Sequence, residues 1–296
     1  AERVDGAARR DLAAAIGPAD LGEGSLEYAS FAEAVRDGVV AKELPEPSVN
    51  DIVIDNPTGR PVLLFDGEEV QGAQQNRVFD GSFIVPGVAR AEVPVCCVEQ
   101  NRWQSSRRGE SFVASRQVSG HDMRAARARS ARQDAEGRSD QGEVWATIDC
   151  LARDTGADAG TLAMSDVYDT LDDELERGLL EVPLHQGQTG VLVLRDGAFV
   201  ALDWVSRPEA WAELHPRVVR GHLFAERAHL RGEQRTGAGL VEGRSGLRFV
   251  RELPIEAGAK AGLGTRVRTV DGAPAEGTGL VVGDQLVQWS AFACAA

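Results

Sequence analysis

Three short stretches of this 296-residue chain combine residue types suited to binding an anionic ligand and to acid/base chemistry. The first contains the DGEE run from Asp66 to Glu69, which places carboxylates at the end of the apolar run Pro61–Phe65. The sequence QGAQQNR, from Gln71 to Arg77, then brings amides and a guanidinium into the next turn. Its Gly72-Ala73 pair lets a ligand approach the backbone closely. A polar hairpin tip at the surface is the competing interpretation.

The second stretch, CCVEQNRW, runs from Cys96 to Trp103 at the end of a predicted strand. In an extended chain Cys97 and Glu99 lie on one face. A neighbouring carboxylate raises the pKa of a thiol, so Cys97 is predicted to be buried and inert. Arg102 offers a guanidinium to a phosphate or carboxylate, and Trp103 offers an aromatic plane to a base or sugar. A Trp packed in the core is the alternative.

The third stretch, DQGEVW, begins at Asp140 and ends at Trp145. Asp140 and Glu143 form a capping box, which explains both acids without any ligand. Capping does not explain Gln141 or Trp145. A helix N-terminus also presents unpaired N–H groups to an anion, although the Asp140 side chain competes for them.

Together these stretches predict a polar site for a phosphorylated ligand. Arg77 and Arg102 are expected to hold phosphate, and Trp103 or Trp145 to stack on a ring. Carboxylates near buried aromatic side chains can titrate near neutrality, which suits acid/base work. The predicted catalytic residues are Asp66, Glu68 and Glu99, and the predicted ligand-binding residues are Gln75, Asn76, Arg77, Arg102, Trp103, Gln141 and Trp145.

Composition narrows the class of partner. The formal net charge of −14 disfavours a surface that binds nucleic acid or an anionic membrane. Basic charge is local: from Arg102 to Arg138 nine arginines face four acidic residues, but Phe112 is the one aromatic residue after Trp103 in that segment. The four cysteines contain no C-x-x-C pair, so no metal site is predicted, and no motif identifies a cofactor. A reducing, cytoplasmic location is expected, because the N-terminus has no secretory apolar core.

The hydrophobic periodicity and turn signals of the chain predict an α+β fold. In this fold, N- and C-terminal strands complete an antiparallel β-rich core, and the middle segment is helical. Residues 1–24 are expected to form a weakly ordered arm. Residues 25–296 are expected to form a single composite domain, with the late strands completing the early sheet. Its predicted parts are a β-rich region over 49–103, an irregular basic loop over 104–139, helices over 140–180 and a mixed α/β region over 188–296.

The runs PVLLFDGEEVQGAQQNRVF, VPVCCVEQNRW and RSDQGEVW together resemble a bacterial and archaeal family. That family is named for the association of its genes with those of ADP-ribosylglycohydrolases and rhodanese-phosphatases. The resemblance implies a part in handling ADP-ribose or other NAD-derived nucleotides, and brings no established catalytic residue. The chain departs from the family pattern at Gln74, where Lys is frequent, and at Cys96, where Ser is usual.

Two functions are consistent with these patterns. In the first, the protein binds, and processes, a phosphorylated nucleotide or ADP-ribose-type ligand. In the second, it is a non-catalytic accessory that binds a partner enzyme through its Arg-rich loop. The first predicts that Asp66, Gln75, Arg77, Glu99 and Trp103 line one cavity, whereas scattered positions favour the accessory. In the first function the basic loop is expected to close over the bound ligand.

Overall fold

A computed structural model describes residues 13–16, 25–46, 48–107, 109–134, 137–157, 160–195, 197–231 and 243–294. The first half of the chain contains β1 (Ala13–Ile16), β2 (Ala29–Ser30), α1 (Phe31–Arg36), β3 (Val40–Lys42), β4 (Asp51–Asn56), β5 (Val62–Leu64), β6 (Glu68–Gly72), β7 (Arg77–Phe79), β8 (Phe83–Val85), β9 (Ala89–Cys97) and β10 (Ser111–Val118). The second half contains α2 (His121–Gln133), α3 (Gln141–Thr155), α4 (Met164–Asp169), α5 (Asp172–Glu181), β11 (Gly190–Arg195), β12 (Ala198–Val205), α6 (Pro208–Arg231), α7 (Gly243–Arg251), β13 (Ile255–Ala261), β14 (Gly264–Thr269), β15 (Ala275–Val282) and β16 (Gln285–Ala293).

Six early strands close into a barrel in the order β10-β3-β4-β9-β7-β6. Every neighbouring pair is antiparallel. Alternate side chains point inward along each strand, so residues such as Ile52, Ile54 and Val70 fill the interior and are fully buried. The barrel holds the end of β6, the start of β7 and the end of β9 side by side, and the polar residues from Gln71 to Arg77 and from Cys97 onward lie there.

Seven further strands form one antiparallel sheet, in the order β1-β11-β12-β16-β15-β14-β13. This sheet and the barrel share an apolar core with α6, to which Leu63, Val118, Trp211 and Val287 contribute. The predicted α+β fold, with antiparallel strands at both ends of the chain and helices between them, is confirmed. The expected pairing of the late strands is wrong. They build their own sheet, and one bridge, Ile84 to Gly262, joins them to the small sheet β2-β5-β8.

Local sequence signals account for two helix starts. Ser30 caps α1 and accepts a hydrogen bond from the backbone N–H of Glu33 at 3.3 Å. Asp140 caps α3 and accepts one from the backbone N–H of Glu143 at 2.9 Å. These side chains satisfy N–H groups that the first turn of a helix leaves without a partner. Each cap therefore fixes where its helix begins.

The irregular basic loop predicted over 104–139 is wrong. Most of the segment is regular, because β10 closes the barrel and α2 packs between the barrel and the large sheet. Hydrophobic periodicity is absent because the buried positions carry polar side chains: Ser115 and Gln117 on β10, and Arg124 and Arg127 on α2. Their hydrogen bonds and ion pairs replace the apolar stripe that a sequence pattern can reveal. The expected closure of an unstructured basic loop over the bound ligand is therefore excluded as well.

The predicted weakly ordered arm over 1–24 lies mostly outside the described residues. Within it, Ala13–Ile16 forms β1 and extends the large sheet by pairing with β11 from Ala13 opposite Val193 to Ile16 opposite Gly190. The Ala-rich sequence here adopts a strand because the exposed edge of β11 offers it a hydrogen-bonding partner. Among the described helices none is long and apolar enough to cross a membrane.

Candidate functional site

The polar end of the barrel is built where β7 starts and β9 ends. Arg77 and Cys97 lie directly opposite each other across these antiparallel strands. Side chains of such a pair project to the same face, so the guanidinium reaches the thiol: Arg77 Nη1 lies 2.8 Å from Cys97 Sγ. The preceding turn contains Ala73 with a φ of 44°, a conformation that a side chain makes costly. The backbone is therefore held in a strained shape beside this pair.

Arg77 is the centre of this end of the barrel, and its side chain is completely buried. Its Nη1 donates to Gln75 Oε1 at 2.6 Å, and its Nη2 lies 3.9 Å from the carboxylate of Glu43. The ring of Trp103 lies over the guanidinium, with 5.6 Å between ring centroid and Cζ. We call Glu43, Gln75, Arg77, Cys97 and Trp103 the Arg77 cluster.

The guanidinium of Arg77 has spare hydrogen-bonding capacity. Its Nε and Nη2 are buried and have no hydrogen-bond acceptor among the described residues. An arginine has five N–H donors in a planar fork, and a buried donor without an acceptor is costly. Trp103 covers this guanidinium. The tryptophan itself is 48% exposed, so the Arg77 cluster borders solvent at Trp103. An anionic oxygen that reached Arg77 beside Trp103 would accept hydrogen bonds from these unused donors.

Cys97 is fixed in place rather than activated. Gln141, the first residue of α3, accepts from the Cys97 backbone N–H and donates to its carbonyl, both at 2.8 Å. The amide of Gln141 thereby attaches α3 to the end of β9. Burial raises the pKa of the Cys97 thiol, and the nearby charge of Arg77 only partly offsets it. The predicted burial of Cys97 is confirmed.

Glu99, Arg102 and Asn76 form a second group, the Glu99 clamp. Arg102 makes a bidentate pair with Glu99, with Nε to Oε1 at 2.7 Å and Nη2 to Oε2 at 2.6 Å. Its other contacts go to the carbonyl of Ala73 and to Asn76 Oδ1, each at 2.9 Å. The Gln75 side chain also donates to the Glu99 carbonyl. Arg102 is thus fully engaged in holding the strained turn, and its predicted contact with phosphate would require breaking the clamp.

Asp66 and Glu68 lie away from these two groups. Asp66 pairs with Arg127 at 2.7 Å and Arg124 at 3.1 Å, both on α2. Burial raises the pKa of the Asp66 carboxyl, but these two guanidinium charges outweigh it and lower the pKa below its usual value. Glu68 pairs with Arg217 of α6 at 2.6 Å. Burial raises the pKa of Glu68, and Arg217 opposes this shift.

The five residues expected in one cavity therefore divide between two places. A cavity of about 120 Å³ lies beside α2, and Asp66 lines it. Gln75, Arg77, Glu99 and Trp103 are absent from its lining and contact one another at the polar end of the barrel. Trp145 is half-buried one turn into α3, and its buried indole N–H has no hydrogen-bond partner among the described residues.

Two carboxylates escaped the sequence-based prediction. Glu43 follows β3 and accepts from the backbone N–H of Gln74 at 3.3 Å, which connects it to the turn before Arg77. Nothing in its own neighbourhood, VVAKELP, marks it, and only the closure of the barrel brings it close. Glu69 is fully buried and bound by Ser115 at 2.6 Å, and burial raises its pKa to about 7. The sequence did contain a signal for Glu69. Neighbouring residues of a strand face opposite sides, so the adjacent acids Glu68 and Glu69 are expected to point in opposite directions.

A group of three or more His, Cys, Asp or Glu side chains arranged to hold a metal ion does not occur in the part of the chain that the structure describes. The Arg77 cluster contains one carboxylate and one buried thiol beside a guanidinium. That donor set favours an anion over a cation.

Comparison with known proteins gives one match. The model of the ARG and Rhodanese-Phosphatase-superfamily-associated Protein domain matches residues 16–292. No curated protein and no solved structure matches the chain. The match includes all three polar stretches and every strand from β2 to β15.

Proposed function

The chain belongs to the ARG and Rhodanese-Phosphatase-superfamily-associated Protein family, and we propose that it binds a phosphorylated nucleotide of the ADP-ribose class at the Arg77 cluster. The observation that supports the proposal is the buried guanidinium of Arg77, whose Nε and Nη2 have no hydrogen-bond acceptor in the described structure. The family name, which associates these proteins with ADP-ribosylglycohydrolases, suggests the ligand class.

Binding at this site uses Arg77 and Trp103 together. A phosphate oxygen accepts hydrogen bonds from the unused donors of Arg77, because a planar guanidinium matches phosphate geometry. The indole of Trp103, which already lies over Arg77, moves to admit the phosphate and stacks on the base or ribose. Glu43, 3.9 Å from Nη2, offers Arg77 a counter-charge in the absence of ligand.

The Glu99 clamp gives this site its shape. Of the three predicted catalytic carboxylates, Glu99 alone contacts residues next to Arg77, through Gln75 and Asn76. Its bidentate pair with Arg102 suits a positioning role, since both oxygens already accept hydrogen bonds. Processing of the bound ligand would require Glu99 to leave Arg102, so we propose binding as the primary activity.

Titration calorimetry with ADP-ribose and with adenosine tests this proposal. Losing a charge-assisted hydrogen bond costs about 1.5–3 kcal/mol, so Arg77→Lys should weaken ADP-ribose binding roughly tenfold to 150-fold. Adenosine lacks phosphate, and its weaker binding should be unchanged by Arg77→Lys. Trp103→Ala should weaken both ligands, since stacking contributes about 1–3 kcal/mol.

The matched control is Arg116→Lys. Arg116 is a half-exposed arginine of β10 that pairs with Asp169 and Asp172 and has no contact with the Arg77 cluster. The Arg116→Lys variant should bind ADP-ribose with the affinity of the wild type. Equal ADP-ribose affinity in the wild type and Arg77→Lys, with both proteins folded by circular dichroism, would reject the proposal.

The accessory function has less support. It requires arginines of the segment 104–139 to be available to a partner, yet those on β10 and α2 are mostly engaged internally. Arg116, Arg124, Arg127 and Arg132 all form ion pairs within the chain. Arg129 is exposed, and a partner could reach it. Charge reversal at Arg129 should leave nucleotide binding intact, whereas the accessory function predicts loss of the partner complex.

A further inference from the structure

The cavity of about 120 Å³ beside α2 lies against the Asp80–Ser82 turn and the last four strands of the large sheet. Its lining contains five arginines: Arg124, Arg127, Arg132, Arg266 and Arg268. Two carboxylates, Asp66 and Asp80, also line it. A concave site with this excess of guanidinium groups concentrates positive potential within an otherwise acidic protein.

Four of the five arginines have carboxylate partners. Arg124 and Arg127 share Asp66, Arg132 pairs with Glu276 at 2.7 Å, and Arg268 pairs with Glu256 at 2.7 Å. These pairs occupy the guanidinium groups on the cavity wall and fix their positions.

Arg266 differs from the other four. Its hydrogen bonds go to two backbone carbonyls, Asp80 O at 2.7 Å and Ser82 O at 3.2 Å, and it has no carboxylate partner among the described residues. Gly81 makes this position possible, since a Cβ there would lie 2.8 Å from Arg266 Cζ. Burial lowers the pKa of Arg266, and the nearby carboxylates of Asp80 and Asp66 offset this shift only in part.

Arg127 supplies a second incomplete group. Its side chain is 3% exposed, and its Nε is buried with no hydrogen-bond acceptor in the described structure. Its Nη atoms are used by Asp66 and the carbonyl of Phe79. A half-buried guanidinium held by backbone carbonyls and a second guanidinium with an unused donor therefore belong to residues on the wall of the same cavity.

The cavity is large enough for a small anion. Its volume of about 120 Å³ is well above the roughly 10–15 Å³ that a single water needs. A tetrahedral anion therefore fits.

We propose that this cavity, with Arg266 and Arg127 as its principal donors, binds a phosphate-type dianion, either free inorganic phosphate or the terminal phosphate of a phosphomonoester. The site is separate from the Arg77 cluster, so each can fail without the other. An anion here would also join α2 to the C-terminal strands, since it would contact Arg127 on one side and Arg266 on the other.

Titration calorimetry of the full chain with inorganic phosphate, against a chloride control at equal ionic strength, tests the proposal. Wild type should bind one phosphate saturably, and Arg266→Gln should weaken it at least tenfold. Ala128→Leu fills the cavity from a half-buried position on α2, where Leu is a good helix former, and should abolish binding. Arg153→Gln, on the exposed face of α3, is the matched control and should bind as wild type does.

Ribose 5-phosphate in place of inorganic phosphate distinguishes the two sources of the anion: tighter binding of the ester indicates a phosphomonoester, and tighter binding of phosphate indicates the free ion. Arg77→Lys should leave phosphate affinity unchanged, which separates this site from the nucleotide site. Absence of saturable phosphate binding to wild type, or wild-type affinity in folded Ala128→Leu, would overturn the proposal.

Discussion

Arg77 and Arg124 are both completely buried, yet they differ in how many of their donors are satisfied. Arg124 donates to Asp203 from two nitrogens at 2.8 Å each, to Asp66 at 3.1 Å and to Ser290 at 2.8 Å. Arg77 donates from one nitrogen only. A buried guanidinium with every nitrogen bonded joins parts of the fold, whereas we propose that the unused donors of Arg77 serve a ligand.

The surroundings of the two arginines support this difference. Asp203 also accepts from His222 Nε2 at 2.7 Å, and His222 lies 3.1 Å from the ring nitrogen of His121. Arg124 thus belongs to a closed polar network between α2, α6 and β12. The Arg77 cluster instead ends at a half-exposed tryptophan. Arg77 and Arg124 are alike in burial and differ in the number of donors that are satisfied.

The largest expected effect is on folding. Arg124→Met leaves Asp203 buried without its main counter-charge and leaves Asp66 with Arg127 alone, and breaking such a buried pair costs about 3–5 kcal/mol. Arg77→Met should cost less than half as much, because fewer partners are lost. Urea unfolding followed by tryptophan fluorescence measures both. Equal losses in the two variants would break the comparison.

A buried carboxylate without an arginine extends the comparison. Burial raises the pKa of Glu69 from its usual 4.5 to about 7. Folding therefore carries no penalty from this group below pH 4.5, and the penalty grows as pH rises towards 7, to at most about 3 kcal/mol. Glu69→Gln should match the wild type at pH 4.5 and exceed its unfolding free energy at pH 8. Denaturant unfolding at both pH values tests this, with no gain at pH 8 as the contrary result.

A smaller effect is expected at the Glu99 clamp. Arg102→Gln leaves the Glu99 carboxylate and the Ala73 carbonyl without their partner, at a cost of about 1–3 kcal/mol. Because the clamp holds the turn that precedes Arg77, nucleotide affinity should also fall. Chemical denaturation and calorimetry on the same variant measure both quantities. A loss of stability with unchanged affinity would show that the clamp does not shape the site.

The smallest effect on folding is expected for Trp103→Ala. The tryptophan is 48% exposed, and its cation–π contact with Arg77 contributes about 0.5–1 kcal/mol at such a site. The unfolding free energy should change by about 1 kcal/mol or less while nucleotide binding weakens. Leu180→Ala, at an exposed apolar residue of α5, is the control for surface truncation. A Trp103→Ala loss as large as that of Arg124→Met would indicate a core residue.

The sequence predicts local structure well where local chemistry decides it. The N-caps at Ser30 and Asp140 are confirmed, because each cap side chain accepts from an N–H group three residues further along the chain. The segment around Arg124 and Arg127 could not be recognised as a strand and a buried helix. Its inward-facing side chains are charged, and the acids that neutralise them, Asp66 and Asp203, are distant in sequence.

The candidate site shows the same division. Gln75, Arg77 and Trp103 were selected from two separate stretches, and strand pairing brings them together. Glu43 could not be selected, because its approach to Arg77 depends on barrel closure through β3 and β10. Asp66 and Glu68 were selected for their proximity in sequence. Their ion-pair partners are arginines on α2 and α6, which come later in the chain. These pairs hold Asp66 and Glu68 away from the Arg77 cluster.

Arginine side-chain NMR gives the most direct test of the difference between the two buried guanidinium groups. Nε–H signals of Arg77 and Arg124, assigned from Arg77→Lys and Arg124→Lys, can be followed during titration with ADP-ribose. Arg77 Nε has no acceptor in the described structure, whereas Arg124 Nε is bonded to Asp66. We expect the Arg77 signal to shift and gain protection from solvent exchange, and the Arg124 signal to stay unchanged. An unchanged Arg77 signal at saturating ADP-ribose would contradict the assignment of Arg77 as the ligand-binding group.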